Sequence, residues 1–221
     1  MKGSIITVDD AQAVNFREIR MGEIPPKTLY RSSHPIKDNK QEKVISMLAS
    51  SAKIAAIVNL CDSNSRIAEK AIFAPWYNKL LKNNRVIALG MDLCFTGINF
   101  EEKLKKAIQF IISTEGPWLI HCYAGVDRTG FVCMVLESFM GSSLDNVIRD
   151  YLGSFNSIFE SSINEETHKA DSLMAMQILS FMGDIAPNAQ NLQGIAENYL
   201  RKTIRLSSEE LNSLRRKLSG G

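Results

Sequence analysis

Apolar positions along the chain follow two spacings, one typical of buried strands and one typical of amphipathic helices. Residues 53–60 (KIAAIVNL) are apolar on both faces, as a strand inside a parallel sheet must be. In 99–114, Phe100 and Leu104 recur at helical spacing, with lysines on the opposite face. Asn99 stands where it can cap this helix. The pattern therefore predicts strands and helices that alternate.

The same spacings divide the chain into a strand-containing part and a helical part. All predicted strands lie within the first 121 residues, and a capping box of Ser207 and Glu210 marks the start of the last helix. The strands are 27–32, 53–60, 85–90 and 117–121, and the helices are 38–50, 67–81, 99–114, 129–141, 143–152, 165–183, 189–203 and 208–218.

Such alternation favours an α/β fold, in which crossover helices flank a mainly parallel central sheet. A length of 221 residues indicates one domain with additions rather than two full domains. We expect a single domain over 1–221, with an α/β core over 1–141 and a helical C-terminal subdomain over 142–221.

Composition narrows the class of protein. Hydrophobic residues make up 45% of the chain and charged residues 23%, close to the average for soluble globular proteins. No apolar run approaches the roughly 18 to 20 residues that cross a bilayer, and the N-terminal SIITV stretch is too short for a secretory signal. A net charge of +2 provides no field to attract nucleic acid. We therefore expect a cytoplasmic protein without stable membrane insertion and without a nucleic-acid partner.

Cysteine and histidine usage argues against a metal site. The chain has four cysteines and three histidines, with no CxxC pair, and the histidines lie far apart. Neither a zinc cage nor a disulfide framework is indicated, so we expect no metal. The cysteines are Cys61, Cys94, Cys122 and Cys133.

The most informative segment is HCYAGVDRTG, residues 121–130, where an apolar strand ends and a helix begins. In an open α/β sheet, ligands bind at the carboxyl ends of the strands. A loop that enters a helix N-terminus presents several backbone N–H groups to one point, and the helix dipole adds positive potential there. The segment thus predicts a phosphate-binding loop formed by Tyr123, Ala124, Gly125, Val126, Asp127 and Arg128.

The residue types in this loop fit nucleophilic chemistry on phosphorus. A cysteine at a helix N-terminus is readily a thiolate, and Arg128 can hold two phosphate oxygens in a bidentate fork. Thr129 can donate its hydroxyl toward the sulfur of Cys122, and Gly125 and Gly130 permit a tight turn. The alternative is a small buried hydrophobe at Cys122 and a surface charge at Arg128. Six prescribed identities have a chance frequency of about 10⁻⁸ per position, which argues against that alternative.

These residues match His-Cys-x-x-Gly-x-x-Arg-Thr-Gly, the signature of the protein tyrosine phosphatase superfamily of cysteine-dependent phosphatases. Three other stretches resemble its bacterial branch: NFRE from Asn15, LYRSS from Leu29, and the C-terminal LSSEELNSLRRKL. Val126 is typical of classical tyrosine phosphatases, whereas Asp127 follows the bacterial pattern.

The resemblance implies a general acid about 30 residues before the cysteine, which Asp92 satisfies. Asp62, at the end of another strand, is the alternative. His121 is expected to hold the loop by hydrogen bonds and to tune the thiolate, or else to be a plain core histidine. Arg31 resembles a family position and either supports the loop or forms a surface salt bridge.

The implied function is metal-independent and cofactor-free phosphomonoester hydrolysis through a phosphocysteine, with protein phosphotyrosine as the first choice of substrate. The first alternative is a phosphatase of phosphoinositides or inositol phosphates. Such enzymes prefer basic residues at the variable loop positions, and this chain has none there. A catalytically silent phosphate-binding module is the second. Small phosphomonoesters are also expected substrates, and the oligomeric state stays open.

Cys61 and Cys94 lie on strand-end loops, where either could form a reversible disulfide with Cys122 or stay an inert thiol.

Overall fold

A five-stranded sheet runs through the computed structural model, which describes residues 7–158 and 165–221. Across the sheet the strands are ordered β1-β2-β5-β3-β4; β1 is antiparallel to β2, and all other neighbours are parallel. The predicted mainly parallel α/β fold is therefore confirmed. The strands are β1 (Arg17–Ile19), β2 (Leu29–Ser32), β3 (Ala56–Asn59), β4 (Val86–Ala88) and β5 (Trp118–His121).

Helices cover both faces of this sheet. Val58 and Ile120 point to one face, where they join a core with residues of α5 and α6, whereas their neighbours Ile57 and Leu119 pack with residues of α2, α3 and α4 on the other face. The helices are α1 (Val8–Ala13), α2 (Asn39–Ser51), α3 (Asn64–Ala71), α4 (Pro75–Lys82), α5 (Ile98–Ser113), α6 (Asp127–Phe139), α7 (Leu144–Ile158), α8 (Glu165–Ser180), α9 (Leu192–Asn198) and α10 (Ser208–Leu218). No helix among the described residues is long and apolar enough to cross a membrane.

Several element boundaries differ from the prediction. The single helix expected over 67–81 is two helices, α3 and α4, because Pro75 occupies the first position of α4 and disfavours helical geometry in the residue before it. The strand β1 and the helix α1 were not predicted, since both are too short to show a clear period. The helix predicted over 189–203 is shorter, because its last turn, Tyr199–Thr203, is a π-helix.

The predicted cap of α5 is also wrong. The helix begins at Ile98, and Gly97 is its N-cap without a side-chain hydrogen bond. The Asn99 amide instead donates to Asp92 across 2.8 Å. By contrast, the predicted capping box of Ser207 and Glu210 is present at α10.

The parallel strands end together at one edge of the sheet. Ser32, at the end of β2, and Asn59, at the end of β3, are both paired in register with His121 at the end of β5. The loops that follow these strands therefore meet beside Cys122.

Candidate active site

Cys122 follows β5 directly, and α6 begins five residues later at Asp127. Only 1% of Cys122 is exposed. The backbone N–H of Gly125 donates to its sulfur across 3.3 Å. The segment is thus folded around Sγ as a loop between a strand and a helix N-terminus, as the sequence predicts.

The first two carbonyl groups of this loop are held by histidines. His121 Nδ1 lies 3.3 Å from the carbonyl oxygen of Cys122. The backbone N–H of His34, just beyond β2, donates to the carbonyl oxygen of Tyr123 across 3.1 Å.

The next two carbonyl groups are held by side chains from the start of the chain. Asn15 Nδ2 donates to the carbonyl oxygens of Gly125, at 3.1 Å, and Ala124, at 3.5 Å. Arg31 Nη2 donates to the same Gly125 oxygen across 2.8 Å. Four consecutive carbonyl groups, from Cys122 to Gly125, therefore have donors outside the loop; we call these contacts the carbonyl clamp.

The carbonyl clamp orients the backbone N–H groups of the loop. In a trans peptide the C=O and the N–H point in opposite directions. Four carbonyls held outward turn the amides of residues 123–126 to the opposite side, where the Gly125 N–H meets the sulfur. A row of N–H groups at a helix N-terminus is a binding site for an anion, and it is built here around a thiol.

Buried charges hold Arg31 in place. Arg31 is fully buried and donates to Asp150 and, across 2.9 Å, to Ser154, both on α7. Arg17 Nε donates to the other oxygen of Asp150 across 2.7 Å. Burial opposes ionisation of Asp150, but the two guanidinium groups outweigh it and lower its pKa to about 2. Of the two alternatives for Arg31, loop support matches the geometry, and a surface salt bridge is excluded.

A second carboxyl group lies beside this cluster. Glu137 on α6 is fully buried, and burial together with the charge of Asp150 raises its pKa well above the ordinary value. Burial thus favours the protonated form of Glu137 in the folded protein. Within the described residues, neither of its carboxyl oxygens has a hydrogen-bond partner.

Two glycines of the signature are required by close contacts. Gly125 has φ of +76°, and a Cβ there would lie 2.5 Å from the carbonyl oxygen of Ser32. A Cβ on Gly130 would lie 2.6 Å from the ring of Tyr151 on α7. The first glycine allows the turn, and the second lets α6 pack against α7.

His121 is tied into a chain of hydrogen bonds below the loop. Asn59 Nδ2 lies 3.2 Å from the hydroxyl of Tyr77, which lies 3.2 Å from His121 Nε2. If Nε2 accepts, Nδ1 carries the proton and donates to the Cys122 carbonyl, so each group in the chain is satisfied. Burial, and next the charge of His34, lower the pKa of His121 well below the ordinary value. A neutral His121 thus supports the loop, as one of the two predicted roles requires.

Arg128 and Thr129 occupy the first turn of α6. Arg128 Nη1 donates to the carbonyl oxygen of Met91 across 2.9 Å. Within the described part of the chain, its buried Nε has no hydrogen-bond partner, so it is available to an anion. The buried hydroxyl of Thr129 also has none there, and the predicted bond to Cys122 is not formed in this structure.

Asp92 lies on the exposed loop between β4 and α5, next to the residue that Arg128 contacts. Its oxygens accept from Asn99 Nδ2 at 2.8 Å and from the backbone N–H of Cys94 at 3.0 Å. These two bonds, together with the charges of Lys103 and Arg128, lower its pKa. The structure thus places Asp92 beside the phosphate loop, but as a carboxylate.

Asp62, the alternative acid, is buried and fully engaged. It accepts from His34 Nε2 at 2.6 Å and Asn59 Nδ2 at 3.1 Å, and Lys70 Nζ lies 3.6 Å away. Burial raises its pKa, but the bonds from His34 and Asn59 outweigh burial and lower it overall. A carboxylate held by this many donors is a poor proton donor.

The other thiols differ in their surroundings. Burial, and next the charge of Asp62, raise the pKa of Cys61 to about 12, and the charge of Cys122 adds to this shift. Cys61 is therefore a protonated thiol near Cys122. Cys94 is exposed on the loop that carries Asp92, and Cys133 is buried in α6. Whether Cys61 or Cys94 pairs with Cys122 stays a prediction.

Donor atoms of His34, Cys61 and Asp62 lie within 4.8 Å of one another, close enough to share a metal ion. However, His34 Nδ1 accepts the backbone N–H of Ile36 across 3.1 Å, so its ring proton is on Nε2, which faces Asp62. A ligating histidine normally uses the unprotonated nitrogen and donates from the other. The local hydrogen bonds therefore fit a His–Asp pair better than a metal centre.

Comparison with known proteins places this site in a family. A sequence profile described as the tyrosine phosphatase family matches residues 10–220, nearly the whole chain. The chain belongs to the tyrosine phosphatase family. The resemblance predicted from the signature is thereby confirmed.

One curated relative of this family member is the triple specificity protein phosphatase PtpB of Mycobacterium tuberculosis. The two are 29% identical over 119 residues, which cover 52% of this chain and 42% of PtpB, less than half of that relative.

Two solved structures are among those that a structural comparison matches to this chain. The catalytic domain of the PP-IP phosphatase SIW14 from S. cerevisiae, crystallised with citrate, is 20% identical with a TM-score of 0.41 and covers 72% of this chain and 92% of that one. A second structure of the Siw14 catalytic core is 19% identical with a TM-score of 0.43 and covers 85% and 94%.

Proposed function

We propose that this protein hydrolyses phosphate monoesters through a phosphocysteine intermediate on Cys122. The observation that carries the proposal is the carbonyl clamp, which turns four consecutive amides toward the side of the loop where the sulfur lies. These amides can hold the equatorial oxygens of a phosphoryl group during attack. Intact Cys122 and Arg128 argue against a catalytically silent phosphate-binding module.

Each residue of the site then has a defined role. The thiolate of Cys122 attacks phosphorus, so that an S–P bond forms while the ester P–O bond breaks. Asp92 in its protonated form gives its proton to the leaving oxygen, and Arg128 binds phosphate oxygens. Water then attacks the phosphocysteine, the Asp92 carboxylate takes the proton, and Cys122 leaves as a thiolate. Thr129 donates to that departing sulfur, and His121 fixes the loop; no cofactor takes part.

Phosphotyrosine in proteins is our first choice of substrate. Tyr123, Ala124, Val126 and Asp127 place no positive charge within the loop, so nothing there favours a second phosphate. The phenol of tyrosine is also a better leaving group than an alkyl alcohol.

A phosphoinositide or inositol phosphate is the second candidate, and the structure supplies an observation in its favour. Lys37 Nζ lies 4.7 Å from the ring centroid of Tyr123, which is 49% exposed. This lysine is outside the signature, yet it brings a positive charge to the rim of the loop. The lack of basic residues within the loop is therefore not enough to exclude phosphoinositides and inositol phosphates as substrates.

A substrate panel tests the function and its substrate class together. Phosphotyrosine and phosphoserine peptides, phosphoinositides and inositol polyphosphates are assayed with EDTA present. We expect the highest kcat/KM on phosphotyrosine peptides, no effect of EDTA, and no turnover by Cys122→Ser. Activity of Cys122→Ser within tenfold of the native protein would refute the mechanism, as would loss of activity in EDTA. A preference for a phosphoinositide would favour the second candidate.

We further propose that 1–221 acts as one catalytic domain, because α9 and α10, beyond residue 141, contribute to the same core as α5 and α6.

The cytoplasm is the proposed compartment, because all four cysteines are free thiols. Asp127 is consistent with a bacterial member of the family. Dual specificity is tested by the same panel.

A further inference from the structure

Both carboxylate oxygens of Asp92 accept hydrogen bonds from nearby residues. Oδ2 accepts from Asn99 across 2.8 Å, and Oδ1 accepts from the backbone N–H of Cys94 across 3.0 Å. Asn99 is the second residue of α5 and is exposed, and it does not cap that helix. Its side chain therefore contributes to Asp92 rather than to the helix terminus.

These bonds conflict with the role of a general acid. A proton donor must be protonated, whereas both contacts donate hydrogen to the carboxylate and stabilise its charged form. The cations that face Asp92 act in the same direction: Lys103 on α5 and Arg128 on α6 both lower its pKa. Lys103 Nζ also donates to the carbonyl oxygen of Gly90, two residues before Asp92, across 2.7 Å.

The same loop is held at its other side by a residue of the phosphate site. Arg128 Nη1 donates to the Met91 carbonyl oxygen, adjacent to Asp92, across 2.9 Å. Because Arg128 Nε has no hydrogen-bond partner within the described residues, a phosphoryl group can bind there while Nη1 still contacts Met91. The loop is thus held from the phosphate site as well as by the bond from Asn99.

We propose that Asn99 is a positioning residue that holds the general acid in a resting, charged position, and that the Asn99–Asp92 bond must break before Asp92 donates its proton. The proposal rests on the proposed function and on the role of Asp92 in it. Its consequence is that Asn99 opposes proton transfer rather than assisting it.

The test is the pH dependence of kcat/KM for Asn99→Ala, measured with a phosphotyrosine peptide and with p-nitrophenyl phosphate, whose leaving group hardly needs a proton. The fall of kcat/KM at high pH, the basic limb of the profile, reports the ionisation of the general acid in the free enzyme. For the peptide we expect this limb to move to higher pH and kcat/KM above it to rise about fivefold, the effect of one ordinary hydrogen bond. Asn99→Asp, which places a like charge beside Asp92, should move the limb further. With p-nitrophenyl phosphate both changes should be small.

Two controls separate this effect from a general one. Asn83→Ala removes another exposed asparagine, whose Nδ2 donates to Lys79 O across 2.9 Å on α4, and should leave the profile unchanged. In the Asp92→Asn background, Asn99→Ala should have no effect. An unmoved limb, or a lower kcat/KM on the peptide, overturns the proposal while Cys122-dependent hydrolysis still supports the function. Absence of any Cys122-dependent hydrolysis in the native protein overturns both.

Discussion

Arg31 Nη2 lies 2.8 Å from the carbonyl oxygen of Gly125, although 94 residues separate them in the chain. The contact is buried, and Asp150 on α7 accepts a hydrogen bond from the other amino nitrogen of Arg31, Nη1. Because Gly125 C=O and Val126 N–H belong to one peptide group, this bond sets the direction of an amide that a phosphoryl group would meet. The orientation of this part of the signature loop is thus determined by a residue outside the signature.

Arg31→Lys should lower kcat/KM for all substrates alike, by about 10², because the single ammonium nitrogen of lysine cannot replace the two amino nitrogens by which Arg31 reaches Asp150 on one side and Gly125 and Ser154 on the other. The positive charge beside Asp150 is retained, so the fold should persist. Steady-state kinetics on two unrelated phosphate esters, with vanadate affinity as a second readout, measures the effect. Arg85→Lys is the matched control, because Arg85 also donates to a backbone carbonyl, that of Ala55 at 3.0 Å, at the other end of the sheet. Equal activity of both variants would contradict the role of Arg31.

Gly125→Ala should reduce both stability and activity. The new Cβ would meet the Ser32 carbonyl oxygen in a left-handed backbone conformation, which costs about 1–3 kcal/mol. A loop displaced by such a contact should lose about 10² in kcat/KM. Thermal unfolding and kinetics check both. Gly194→Ala on α9, where nothing lies within 4 Å of the new Cβ, should instead be neutral or stabilising.

Asp92→Asn should lower kcat by about 10² to 10⁴ on phosphotyrosine, the usual range for general acid–base catalysis. The loss should be much smaller on p-nitrophenyl phosphate, and the basic limb of the pH profile should flatten. Asp62→Asn should mainly reduce stability, because Asp62 bonds His34 and pairs with Lys70 within the fold. The reverse pattern, with leaving-group dependence in Asp62→Asn alone, would show that the acid is Asp62.

Glu137→Gln should stabilise the protein increasingly as pH rises. Burial raises the pKa of Glu137, so the folded state keeps a proton that the unfolded chain loses above about pH 4.3. Its contribution to stability is complete below that pH and declines as pH rises toward the folded pKa, by about 1.4 kcal/mol per pH unit. Glutamine does not titrate and has nearly the same size and shape as glutamate.

Melting temperatures of the native protein and Glu137→Gln at pH 5 and pH 8 provide the measurement. Both values lie above the pKa of Asp150, about 2, so that group stays ionised throughout. The exposed Glu102→Gln serves as the control and should show the same difference from the native protein at both pH values. A Glu137→Gln variant that gains no stability between pH 5 and pH 8 would mean that Glu137 is ionised in the folded protein.

The sequence predicts well those elements whose periodic pattern extends over many residues or whose residues are apolar on both faces. The inner strand β3 and the helix α5 are of this kind, and the position of the phosphate loop follows from the strand and helix on either side of it. The break at Pro75 and the short β1 are missed, because local pattern cannot show which geometry tertiary packing selects.

The groups around the loop are predicted less well. Asn15 and Arg31 lie in stretches that resemble the family, and this was their one signal. Asp150 and Glu137 gave none, because a carboxylate on a helix looks like a surface charge until the fold buries it. The sequence places Asn99 at a helix cap, because a capping pattern does not reveal a competing acceptor such as Asp92.

The carbonyl clamp is formed by residues near positions 15, 31 and 121, and Asp150 on α7 holds Arg31 in place. A fragment that begins after residue 31 would carry every signature residue yet lack Asn15, Arg17 and Arg31. Cys122 would be present, but the carbonyl groups of Ala124 and Gly125 would lose their donors. Catalytic competence therefore belongs to the assembled chain rather than to its most recognisable ten residues, and during refolding it should emerge only once both distant segments have docked.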